Sequence, residues 1–373
     1  MSTLAVSEDR VWGDRYLVVA ALVLASLGLL SVFATTGIHS GVAGLRSQAQ
    51  GLVIGMFACI VLTQIPAQTL LRFALPLAGL ALALFVLTLF TDLGVLKNGA
   101  RRSMKLGPVF VMPAELAKPA LILLAARVLT EWGGWSRGMR SVYGAVALSI
   151  LVLMVATKDL GTPLVIVMTL GAMWFLSGAK LRHVFGVIAA GVGGVVALIF
   201  VAPHRMRYVS AWLDPFCERA AGDALRACLD ASAALRASYM AIADGGLTGR
   251  PLGGGQGPMH LLEAHNDFIG AVVAEQFGLI GFGVLAMLFI LVIGRALRLA
   301  YLADAPDIAL VAAGCGMVIG LQGLVHLAVV SGAVPPKGLT LPLVSVGTSS
   351  LVATGILLGM LLRLGREQAW SER

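Results

Sequence analysis

Two histidines and two carboxylates fall within eight residues, in the run His260-Leu261-Leu262-Glu263-Ala264-His265-Asn266-Asp267. The spacing is not the HExxH of a zinc helix, so acid–base chemistry fits better than a metal centre. A positioned carboxylate can take the proton from a hydroxyl nucleophile. Glu263 and Asp267 stand at i, i+4, and a helical start there would set both on one face. The alternative reading of Asp267 is a helix N-terminal carboxylate favoured by the dipole. A second group is cationic. Lys97, Arg101, Arg102 and Lys105 crowd one short stretch, with Lys118, Lys158 and Lys337 elsewhere, which is a set suited to an anion. The bland alternative is pairing with anionic headgroups or plain solvation. Glu115 and Lys118 stand at i, i+3 and can neutralise each other. Asp159 precedes Gly161-Thr162-Pro163, where it can cap a helix, contact a ligand, or do both. His326 and the segment Val334-Pro335-Pro336-Lys337-Gly338-Leu339-Thr340-Leu341-Pro342 complete the polar inventory. Ser345, Gly347, Thr348, Ser349 and Ser350 follow as small residues suited to close helix packing.

The elements that must position these groups are set by composition. Of 373 residues, 58% are apolar and 12% charged, and the mean hydropathy is +0.92. Ordinary soluble domains carry about 25% charge, so a water-soluble globule is excluded. No strict alternation marks a membrane β-barrel, and the fold class is all-α, a polytopic membrane helix bundle. Ten apolar stretches are long enough to cross: 16–35, 48–65, 70–91, 113–130, 141–157, 161–178, 183–202, 267–294, 306–331 and 339–362. A charged leader with Arg10 and Arg15 and no small-residue cleavage site predicts that the first is a retained anchor. With both termini cytoplasmic, the short loops carry more Lys and Arg inside than outside, once the long outer loop of about 203–266 is exempted. The whole chain reads as one transmembrane domain. The net charge of +8 is therefore a topological matter and not a sign of nucleic acid.

The outer loop begins with an amphipathic stretch, His204-Arg205-Met206-Arg207-Tyr208 and then Trp212-Leu213-Asp214-Pro215. It goes on to a glycine run between Gly245 and Gly257, expected to be mobile and close-packing and matching neither GxGxxG nor a P-loop. Cys217 and Cys228 lie in this loop, on the oxidising side, and are expected to form a disulfide. Cys59 and Cys315 lie in apolar helices and read as small core residues.

Motifs in order along the chain resemble those of a known family. Asn98-Gly99-Ala100-Arg101-Arg102, Leu106-Gly107-Pro108 and Pro113-Ala114-Glu115-Leu116-Ala117-Lys118 are similar to the NGAxRW…LGP…PSEfaK signature of the SEDS (shape, elongation, division and sporulation) family, of FtsW, RodA and SpoVE type. Asp159-Leu160-Gly161-Thr162 resembles its PDLGT turn, and Glu263-Ala264-His265-Asn266-Asp267-Phe268-Ile269 its PEaHTDFIF. The run from Lys337 to Gly347 resembles KGLtLPlISYGGSS in its FtsW form. Ser103 stands where the family usually has tryptophan, Lys158 replaces a proline, Asn266 a threonine, Val346 a tyrosine and Thr348 a glycine.

The resemblance implies a peptidoglycan glycosyltransferase that polymerises lipid II on the outer face of the bacterial cytoplasmic membrane, in division or elongation. Its implied partners are the growing glycan strand, a class B penicillin-binding protein and other division or elongation membrane proteins. It implies Asp267 as general base in an inverting displacement, with Arg101, Arg102, Lys118 and Lys337 on the diphosphate. Glu115 would orient Lys118, and Asp159, Glu263, His265 and Ser345 would complete the substrate-binding set. No cofactor is evident, although a divalent cation, Mg or Mn, could assist. Two alternatives stay open: a flippase for the same lipid, and a scaffold that only positions its transpeptidase.

Overall fold

In a bilayer an α-helix satisfies its own backbone N–H and C=O groups, and runs of Leu, Val and Ala offer no side chain that competes for them. The computed structural model describes residues 13–36, 43–97, 100–106, 109–157, 161–186, 189, 193–194, 203–251, 254–255 and 266–371. Its described helices are α1 (Arg15–Thr36), α2 (Ala43–Leu62), α3 (Ala67–Arg72), α4 (Ala74–Phe90), α5 (Pro113–Glu131), α6 (Arg137–Ala156), α7 (Gly161–Leu176), α8 (Pro203–Leu213), α9 (Gly222–Gly245), α10 (Ile269–Tyr301), α11 (Pro306–Val330) and α12 (Thr348–Ser371). Six of these, α1, α2, α6, α10, α11 and α12, are long and apolar enough to cross a membrane, and α4 and α7 are shorter apolar helices.

The bundle is centred on α11, which packs against α10, α7, α5 and α12. Helix α12 runs along α2, and glycines let the two backbones meet. A Cβ on Gly55 or Gly355 would collide with the backbone of the other helix. That is the small-residue approach by which membrane helices associate.

Three expected spans differ from the structure. The stretch 70–91 is two helices broken at Phe73. The stretch 267–294 begins as a helix only at Ile269. The stretch 339–362 is helical only from Thr348, because Pro342 cannot donate to a helix ladder and Pro335, Pro336 and Gly338 disfavour one upstream. Residues 332–347 form instead a non-helical strap, buried at Leu339 and from Leu341 to Ser345. Most of 183–202 lies outside the described residues.

Between α4 and α5 the chain forms a small antiparallel sheet in the order β1 (Gly94–Lys97), β2 (Ala100–Leu106) and β3 (Val109–Val111), an addition to the helical expectation. The cationic loop was legible in the sequence, but its strands, only three to seven residues long, are too short to read.

Among its described residues, the long loop of 203–266 is largely helical. Cys217 and Cys228 are disulfide-bonded, with Cα atoms 6.0 Å apart, and the bond joins the turn after α8 to α9. Asp214 organises that turn. Its carboxylate accepts the N–H groups of Arg219 at 3.0 Å and Glu218 at 3.1 Å, which hold its pKa below the usual value, aided by the Arg219 charge. A closed loop this short restricts the unfolded chain by about 3 kcal/mol in the entropy model. Thiol labelling of the unreduced, denatured protein is expected to find Cys59 and Cys315 alone, with Cys217 and Cys228 reacting after reduction.

The glycine run is packed closely against α10 where it is described, as the close-packing expectation has it. Helix α10 is interrupted at Gly278, whose φ of 66° and ψ of −169° belong to glycine. The freed groups are taken up by the loop. Leu279 N–H donates to Gly246 O at 2.9 Å, Ile280 N–H to Leu247 O at 3.3 Å, and Glu275 O accepts from Arg250 N–H at 2.9 Å. A bend in a membrane helix is tolerated when a neighbour satisfies its backbone in this way. Gly278→Ala is expected to cost about 1–3 kcal/mol through strain alone. Its Cβ would also strike the Leu247 carbonyl. A lowered thermal midpoint in detergent would register the loss.

Candidate active site

The strap of residues 332–347 collects the polar groups that the bundle cannot leave unsatisfied. Trp212 Nε1 donates to Gly332 O at 2.8 Å, which ties the end of α8 to the strap's beginning. Leu339 O faces His326 Nδ1 at 2.6 Å, while Gly270 N–H donates to His326 Nε2 at 3.2 Å. A carbonyl only accepts and an amide only donates, so the imidazole is the neutral tautomer protonated on Nδ1. Gln322 Nε2 donates to Thr340 O at 2.8 Å and to Thr340 Oγ1 at 3.0 Å, and Thr340 Oγ1 lies 2.9 Å from Ser350 Oγ. Gln48 Nε2 donates to Val344 O at 3.2 Å, beside Leu343 in the left-handed region at φ 64°.

Ser345 does not lie on α12 with the other small residues. Its hydroxyl accepts Leu341 N–H at 2.7 Å and donates to Asn266 O at 2.8 Å, binding the strap to the turn that carries Asp267. That turn, residues 266–268, leads into α10. The helix N-cap is Phe268, without a side-chain cap, so Asp267 stands one residue ahead of the capping position. Asp267 thus stands at the N-terminal end of α10, where Gly270 N–H is satisfied by His326. Asp267 also lies against the strap, where a methyl group on Gly338 would fall 2.6 Å from Asp267 Oδ2. Gly338 directly follows Lys337 in the chain.

Lys118 and Glu115, on the first turns of α5, are buried at 1% and 3% exposure. Lys118 Nζ donates to Glu115 Oε2 at 2.7 Å and to Gln322 Oε1 at 2.6 Å. Two charges taken out of water need this pairing and the added amide. Gln322 was missed in the sequence. Its signal was present, since a glutamine four residues before His326 in an apolar helix shares that residue's face.

The cations of the sheet are less uniform than their sequence crowding suggested. Val95 faces Ser103 and Leu96 faces Arg101, so Arg102 is the extra residue of a β-bulge and is exposed. Bulges re-aim side chains in this way. Arg101 is half-buried and its Nη1 donates to Thr91 O at 3.1 Å, while Lys105 is exposed. The sheet is tied to the first turn of α12, because Ser349 Oγ accepts Met112 N–H at 3.0 Å and donates to Phe110 O at 3.0 Å. Asp159, Glu263 and His265 lie outside the described residues, with Lys158 and His260. Among the described residues no group of three or more His, Cys, Asp or Glu converges to hold a metal ion, and the one buried carboxylate at the cationic centre, Glu115, is engaged by Lys118.

A buried lysine–glutamate–glutamine cluster, a carboxylate at the head of a membrane helix and a strap joining the two define a multi-spanning membrane protein with an ordered polar site. The model of the family described as cell cycle protein, covering FtsW, RodA and SpoVE, matches residues 14–369. The chain belongs to this family. It is 33% identical to the probable peptidoglycan glycosyltransferase FtsW of Aeromonas salmonicida, over 95% of this chain and 90% of that protein. It is 30% identical to the stage V sporulation protein E of Bacillus subtilis, over 95% of this chain and 97% of that one. Among solved structures it resembles a chain of a peptidoglycan synthase complex that coordinates polymerization and crosslinking, with a TM-score of 0.75, 28% identity and coverage of 95% and 98%. It also resembles the rod shape determining protein RodA of Thermus thermophilus, with a TM-score of 0.68, 27% identity and coverage of 95% and 97%.

Proposed function

We propose that this chain is a peptidoglycan glycosyltransferase that polymerises lipid II on the outer face of the cytoplasmic membrane, with both termini cytoplasmic. Asp267 takes the proton from the acceptor sugar's 4-hydroxyl as that oxygen attacks the anomeric carbon of the donor. A single displacement inverts the donor's configuration, and the leaving group is a polyprenyl diphosphate. Lys118, with Arg101, Arg102 and Lys337, balances the charge that develops on it, and Glu115 orients Lys118. A hydroxyl is a poor nucleophile while protonated, and a departing diphosphate needs fixed positive charge, so both groups belong to one reaction. Asp159, Glu263, His265 and Ser345 complete the substrate-binding set in this reading.

The observation that carries the proposal is the strap: the segment on which the Asp267 carboxylate lies is the one bonded through Gln322 to the Lys118 ammonium. A class B penicillin-binding protein is the proposed partner that crosslinks the product, and the growing glycan strand occupies the acceptor side. Purified protein given labelled lipid II in vesicles, with and without that partner, is the test. Glycan polymer is the expected product. Leaflet exchange without polymer would make the chain a flippase, and neither would make it a scaffold.

A further inference from the structure

We propose that Gln322 and His326 are positioning residues for this transfer: one turn apart on α11, they hold the buried cation and the helix of the proposed base in one register through the strap. The inference rests on the reading of Asp267 as base and Lys118 as cation.

The chemistry of Gln322 allows only one orientation. An ammonium has no acceptor, so the amide oxygen must face Lys118, as it does at 2.6 Å. A carbonyl has no donor, so the amide nitrogen must face Thr340 O, as it does at 2.8 Å. Lysine, glutamate, aspartate or an apolar residue cannot make both contacts. Gln322 is 3% exposed and carries no charge of its own. Its polar groups are spent on joining α5 to the strap.

His326 does the same one turn on, between the strap and α10. Its two ring nitrogens are divided between Leu339 O and Gly270 N–H. Gly270 lies in the first turn of α10, three residues after Asp267, and the first N–H groups of a helix have no partner within it. The imidazole therefore caps the helix that Asp267 precedes, and does so from a different helix. Leu339 and Thr340 are neighbours in the chain, directly after Gly338, against which the Asp267 carboxylate lies. The path from Lys118 through Gln322, Thr340, Leu339 and His326 to Gly270 consists of hydrogen bonds and one peptide link. Small displacements of a reacting group are costly in rate, and a device of this kind fixes the separation of two groups on different helices.

Such residues should act on turnover and not on substrate capture. Gln322→Leu keeps the side chain's approximate size and suits an apolar helix, so insertion should survive. Measured as the full chain with its transpeptidase partner, it is expected to lower kcat at least about tenfold while KM for lipid II stays within about threefold. His326→Leu is expected to behave in the same way. Gln322→Glu keeps an oxygen for Lys118 but sets a carboxylate against the Thr340 carbonyl, and a fall in kcat at constant KM is expected there too. If Gln322→Leu does not assemble, Gln322→Glu decides in its place. Wild-type kcat in folded Gln322 or His326 variants would overturn the proposal, as would a rise in KM without a fall in kcat. Asp267→Asn run alongside separates the two readings. Normal polymerisation by Asp267→Asn overturns the base assignment, and an inactive Asp267→Asn beside fully active Gln322 and His326 variants overturns the positioning role alone.

Discussion

Asp267→Asn is expected to lower polymer formation at least about a hundredfold, while expression, partner binding and lipid II binding persist. A positioned base contributes roughly 10²–10⁴-fold, about 3–5 kcal/mol of barrier. Asparagine keeps the size of the side chain and can still donate and accept, so the change isolates proton acceptance. A capping role does not confound the result, because asparagine caps a helix as well as aspartate does and would leave the variant active. The side chain lies where Gly338 leaves room for it, and asparagine fits the same space. Glu263→Gln is the control for the neighbouring carboxylate. Gel separation of labelled glycan strands measures the outcome, and polymerisation near the wild-type level would remove Asp267 from proton transfer.

Much of the bundle was legible because a bilayer demands long apolar helices and the sequence supplies them. The stretches that became α1, α5, α6 and α11 are mostly apolar, with prolines or charges at or near their ends, so their bounds follow composition closely. What escaped reading was structure set by tertiary contact. The stretch 339–347 is as apolar as a span, yet it folds as a strap because its backbone groups are taken by Gln322, His326 and Gln48 from elsewhere in the chain and by its own Ser345. The bend at Gly278 is likewise invisible in hydropathy, since its cause is a loop more than 25 residues away that receives the freed N–H groups. The same holds for the site. Glu115 and Lys118 could be paired from their spacing, because one helix turn fixes it. Gln322, their third member, lies 204 residues from Lys118, and no local pattern joins them. Arg101 and Arg102 are adjacent in the chain, but the bulge separates their roles, turning one onto Thr91 and leaving the other exposed.

Lys118→Met is expected to lower turnover by about 1.5–3 kcal/mol of barrier, roughly ten- to hundredfold, the worth of a hydrogen bond from a charged group. Among the described cations proposed for the diphosphate it should matter most. Lys118 is 1% exposed, whereas Arg102 is open to solvent and Arg101 is partly engaged by Thr91, and screening weakens exposed charges. The single change has a second effect that must be separated from the first. Removing the ammonium leaves Glu115 as a buried carboxylate without its cation, and breaking such a pair typically costs about 3–5 kcal/mol of stability. Glu115→Gln/Lys118→Met removes both charges and is expected to recover the thermal midpoint and the yield, because a neutral amide replaces the stranded carboxylate. Turnover should not recover with it. If the double variant folded well and polymerised at the wild-type rate, the pair would be structural alone. A double variant that folds and stays slow assigns the lost rate to the ammonium itself, which is what a departing diphosphate requires.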